Sequence, residues 1–105
     1  MAAEPGLSHR FPMLKRAAEH LATQGRFDES LKIVEEILSL APDDAGLSKL
    51  KARFAADLVR RAVQAQKIEA ATRILEMLDA RIPAKHLGDP EREHVAKARD
   101  ALLSL

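Results

Sequence analysis

The sequence predicts an all-α fold, an antiparallel stack of helical hairpins with about five helices. Three observations predict it. Apolar residues recur at helical spacing along most of the chain, while strand-type alternation is absent. Hydrophobic residues make up 47% of the 105 positions and are mostly Ala, Leu, Val and Ile, with Phe11, Phe27 and Phe54 the only aromatics, a mixture that favours helix over sheet. Finally, the chain matches itself at a shift of 41 positions, pairing Phe27 with Ile68, Ile33 with Ile74, Val34 with Leu75, Glu35 with Glu76, Ile37 with Leu78 and Pro42 with Pro83. A duplicated helix–turn–helix unit, neither copy able to bury its apolar face alone, explains that register.

Residues 1–10 contain Pro5, Gly6 and Ser8 without periodicity and read as a flexible leader. A single helical domain over 11–105 follows: a hairpin at 11–42, a lengthened hairpin at 45–83 and a capping helix at 89–104. In the first helix Phe11, Leu14, Ala17, Ala18, Leu21 and Ala22 share a face, Pro12 suits a first turn, and Gly25 stops the run. The second has Asp28 and Glu29 where negative charge favours a helix N-terminus, then Leu31, Val34, Ile37, Leu38 and Ala41, and Pro42 ends it. Asp43 and Asp44 can cap the third, from Ala45 to about Gln66. That helix carries Leu47, Leu50, Phe54, Ala55, Leu58, Val59, Ala62 and Val63 around most of its circumference and must be covered on more than one side. Only a thin line of Lys49, Arg53, Asp57, Arg60 and Gln64 is polar. A fourth helix runs from Ile68 through Ala71, Ile74, Leu75 and Leu78 to Pro83. The fifth opens on Asp89-Pro90-Glu91, with Asp89 as cap, and buries Val95, Ala98, Leu102 and Leu105.

Residues 14–44, LKRAAEHLATQGRFDESLKIVEEILSLAPDD, resemble a tetratricopeptide repeat through Leu14, Ala18, Leu21, Gly25, Phe27, Ser30, Val34 and Pro42-Asp43. Short side chains at Ala18 and Ser30 would let two antiparallel helices approach closely. The second unit shares Ala71, Leu75 and Pro83, lacks the turn glycine, having Gln66 there, and its first helix is about seven residues longer than the family period of about 34 allows. The resemblance implies a fragment of an α-solenoid.

Composition excludes several functions. Seventeen Lys and Arg against 16 Asp and Glu leave a net charge of +1, so no bulk field draws the chain to a polyanion or an anionic membrane. With no cysteine there is neither disulfide nor thiolate chemistry. No apolar run spans a bilayer, and the N-terminus lacks the charge and hydrophobic pattern of a signal peptide, so the expected address is cytoplasmic. His9, His20, His86 and His94 lie without metal-ligand spacing, the serines have no evident base, and no glycine-rich phosphate loop occurs. No enzyme activity, cofactor or metal is expected.

What remains is a non-catalytic protein-interaction module, an adaptor, scaffold or chaperone-like subunit binding a peptide or helix of another protein. The resemblance implies a groove lined by the first helix of each unit, with Lys15, Glu19 and Thr23 contributed by one and Arg53, Asp57, Arg60 and Gln64 by the next. The same charges, four apart along the helix, also fit a simple solvated face. The second reading is a nucleic-acid-associated protein using Lys49, Lys51, Arg53, Arg60 and Arg61, although Asp57 lies within that cluster. Two units and one final helix make a small array, so the chain is expected to dimerise or to complete its surface on a partner.

Overall fold

The computed structural model describes residues 5–105, with side chains from Arg10 onward, so residues 1–4 of the expected leader lie outside the described residues. Five α-helices follow one another: α1 Pro5–Thr23, α2 Phe27–Leu38, α3 Ala45–Gln64, α4 Ile68–Arg81 and α5 Asp89–Leu103. A single 3₁₀ turn, Ala84–His86, precedes α5, and the described residues contain no strand.

The chain becomes helical earlier than its sequence pattern suggests. Helix α1 starts at Pro5, so residues 5–10, expected as leader, belong to it. Pro5 fits a helix start, because the first residues have no intrahelical acceptor for their N–H groups. Pro12 falls inside the helix instead of opening it and forgoes one backbone bond there. This changes the comparison between the units. α1 has 19 residues and α3 has 20. In the 41-residue register, residues 5–23 fall on 46–64 and 27–38 on 68–79. The extra turns attributed to the second unit are present in both.

Both first helices end the same way. Gly25, at φ 76°, and its counterpart Gln66, at φ 62°, are left-handed. In the first unit Arg26 N–H donates to Leu21 O at 2.8 Å and Gly25 N–H to Ala22 O at 2.9 Å; Lys67 to Ala62 and Gln66 to Val63 repeat those distances in the second. These are the paired bonds of the Schellman ending, which satisfy carbonyls the helix leaves free. Gln66 thus does the work of the glycine it replaces.

Within the first hairpin Ala18 and Ser30 are fully buried, and Ser30 Oγ donates to Ala18 O at 3.0 Å, so the close approach expected there is made and tied by a hydrogen bond. α3 lies at the centre. It packs closely on α4 and α5 and touches α1 and α2 more lightly. Ala52, Phe54, Ala55, Ala56, Leu58, Val59 and Ala62 are buried around it.

Further details depart from expectation. Asp44 alone caps α3, accepting Leu47 N–H at 3.0 Å, whereas Asp43 has no such role. The cap of α5 is Gly88, whose N–H is held by Glu91 Oε1 at 3.0 Å, so Asp89 is already helical. Leu50, expected in the apolar arc, is 51% exposed, and Leu105 and Ala17 are also exposed. Lys51 is the reverse case: it is fully buried, with Nζ donating to Leu38 O at 3.3 Å. That carbonyl belongs to the last turn of α2, where positive charge complements the helix dipole.

Candidate functional site

Beyond its first turn, α3 exposes only Lys49, Leu50, Arg53, Asp57, Arg60 and Gln64. At about 100° per residue these six fall within a single arc, and the rest of the helix is covered or half-covered. The line of residues expected to face a partner is therefore the one solvent-facing strip of the central helix.

The strip is flanked by two other helices, each pinned to α3 through polar side chains. Toward α1, Arg61 Nη2 donates to Thr23 Oγ1 at 2.8 Å, and that hydroxyl in turn donates to Glu19 O at 2.9 Å. Toward α5, Arg53 donates to Glu91 Oε2 at 3.1 and 3.3 Å, and His94 Nε2 meets Asp57 Oδ1 at 2.6 Å. Ser48 Oγ and His86 Nδ1, 2.9 Å apart, fasten the 3₁₀ turn to the start of α3. All four cross-links join residues 37 or 38 apart. α1, α3 and α5 thus lie side by side as one layer, α3 packed closely on α5 and more lightly on α1.

Of the seven expected site residues, Arg53, Asp57, Arg60 and Gln64 share the exposed strip, and Thr23 meets that helix through Arg61. Lys15 and Glu19 are half-buried and pair with each other at 3.2 Å along α1. Such an i,i+4 pair contributes only about 0.3–0.5 kcal/mol. In the 41-residue register Lys15 corresponds to buried Ala56, whereas exposed Arg16 is the counterpart of Asp57. Arg16 was missed, although the register itself points to it. Glu91 and His94 were missed as well, and no sequence signal marks them, because their role depends on how α5 docks.

Charge along the strip is partly spoken for. The Glu91 side chain is only 8% exposed. Burial disfavours its charge, but the hydrogen bonds from Gly88 N–H and the Arg53 guanidinium outweigh burial and hold its pKa below the usual carboxylate value. Asp57 is likewise engaged by His94. Arg60 and Gln64 are exposed, and no ion pair or side-chain hydrogen bond is found for either among the described residues. The basic cluster behind the nucleic-acid reading is largely dismantled: Lys51 is internal, Arg53 is paired, and Arg61 is bound to a hydroxyl.

A larger concavity lies elsewhere. An open trough of about 850 Å³ runs between α2 and α4, floored by Leu31, Ala70, Met77 and Ala80. Its walls mix Asp28, Glu35, Glu69 and Glu76 with Lys32, Arg73 and Arg81, and Arg81 pairs with Glu35 across it at 3.0 Å. Volume alone does not make it the better site. Its remaining wall charges, such as Arg73 and Glu69, are long, solvated side chains, whereas the strip lies on helices cross-linked to one another through Arg53, Asp57 and Arg61.

No protein family, curated protein or solved structure matches the chain. No helix among the described residues is long and apolar enough to cross a membrane.

Proposed function

We propose that this chain is a non-catalytic protein-interaction module, of the kind its tetratricopeptide-like first unit suggests, and that it binds a peptide or helix of another protein along the α1–α3–α5 layer. One observation carries the reading: the exposed side chains of an otherwise enclosed central helix form a single strip between two helices that hold it in place. Such preorganisation lowers the ordering cost of binding. Leu50 supplies an apolar contact at one end of the strip, and Arg60 with Gln64 supplies uncommitted polar groups toward the other. The setting in which such a module works is a cytoplasmic assembly.

The variant Leu50→Asp with Arg60→Glu tests this, since both side chains are exposed and neither holds the fold together. Quantitative mass spectrometry of proteins retained from lysate should show a specific partner lost from the variant while circular dichroism stays unchanged. Retention of the same proteins in the same amounts would remove the strip from the site. Arg53→Glu is a poorer probe, because it places a second carboxylate against Glu91 and loosens α5.

A further inference from the structure

The 41-residue register allows one face to be compared in its covered and open forms. Lys51 and Arg61, which reach Leu38 and Thr23 of the first unit, mark the side of α3 turned toward that unit. Phe54 and Leu58 lie between them on the same helical face and are 3% and 1% exposed. Their counterparts on α1 are Met13, 67% exposed, and Ala17, also exposed. Beside these, Leu14, Leu21 and Ile33 are only partly covered, whereas their counterparts Ala55, Ala62 and Ile74 are completely buried. The outer face of the first hairpin is thus the stacking face of the repeat with nothing stacked on it among the described residues.

At the other end α5 covers α3, and its outward face is mostly charged, with Arg92, Glu93, Lys97 and Asp100 exposed beside Ala96 and Leu103. Head-to-tail stacking of copies would lay the apolar face of the first hairpin against the four charged side chains of that mixed face. Pairing like faces buries apolar against apolar and stops at two copies. Symmetric pairing requires a surface complementary to itself, with both signs of charge on the same patch. The open face has them: Arg10 pairs with Glu36 and Arg26 with Glu29, two cation–anion couples on the first hairpin.

We infer that the outer face of α1 and α2 is the contact surface of a symmetric homodimer, in which Met13, Ala17, Leu14 and Ile33 of one copy meet the same residues of a second. The surface is distinct from the α1–α3–α5 strip, so either can fail without the other.

Analytical ultracentrifugation at micromolar concentration tests it. The unaltered chain should sediment at twice its 11.6 kDa mass. Met13→Glu and Ala17→Arg should each weaken association by at least about tenfold. Both positions are solvent-facing in the single chain, so helix content should not change, and Lys97→Glu on α5 should leave the dimer intact. Because the chain has no cysteine, a second readout is available: Ala17→Cys should oxidise to a covalent dimer and Lys97→Cys should not. A monomeric parent chain, a dimer indifferent to Met13→Glu and Ala17→Arg, or cross-linking equally efficient from position 97 would each overturn the inference.

Discussion

Gln66 shows at the scale of one residue how the repeat tolerates an unfavourable side chain. Its left-handed backbone, φ 62°, disfavours a residue with a Cβ, yet the two bonds of the helix ending require that conformation. Gln66→Gly is therefore expected to stabilise the fold by about 0.5–1 kcal/mol, the relief of strain exceeding glycine's extra chain entropy. Gly25→Ala should cost about 1 kcal/mol, all of it conformational, because a Cβ at Gly25 would meet no atom within 4 Å. Urea denaturation of the two variants checks both signs. Equal shifts in the same direction would mean that the two turns are not equivalent in energy.

At the scale of an element, Lys51 joins α3 to the end of α2. The end of α2 leaves carbonyls without partners, and the buried ammonium from α3 is placed against one of them. Burial pushes the Lys51 pKa down, and the nearby Asp44 carboxylate only partly opposes this. The unfolded chain therefore binds more protons than the folded one between the lowered value and the ordinary lysine value near 10.5, so this residue's contribution to stability improves as pH rises through that window. Relative to Lys51→Met, which lacks the titrating group, the parent protein should gain stability on moving from pH 7 toward the alkaline side, as followed by denaturant midpoints. A constant difference between the two would place the ammonium in contact with water.

The same scale separates what could be read in the chain from what could not. Five helices, their order and the close contact of Ala18 with Ser30 follow from apolar spacing and short side chains, which are local properties. The start of α1 did not, because Pro5, Gly6 and Ser8 carry turn signals although the backbone is helical from Pro5 onward. Nor did the interior position of Lys51: a basic residue beside Lys49 and Arg53 looks like surface, and only the arrival of the end of α2 makes it core. For the site, the exposed line Arg53, Asp57, Arg60, Gln64 was legible as the gap in an apolar helix. Glu91 and His94 were not, since long-range docking alone brings them to it.

At the scale of the molecule, two equivalent 41-residue layers and a single closing helix make an object with unlike ends and unlike sides. One end is covered by α5, with a mostly charged outer face; the other is apolar, with nothing stacked on it among the described residues. One side is a layer of first helices locked together by polar bonds, and the other is a solvated trough between α2 and α4. Assigning binding to the first side is the central claim, and site-specific photocrosslinking tests it most directly. A photoreactive side chain at position 50 or 60 should capture one and the same partner protein, while placement at 73 or 76, in the trough, should capture none. Capture from 73 and 76 with none from 50 and 60 would contradict the claim and move the binding site to the opposite face.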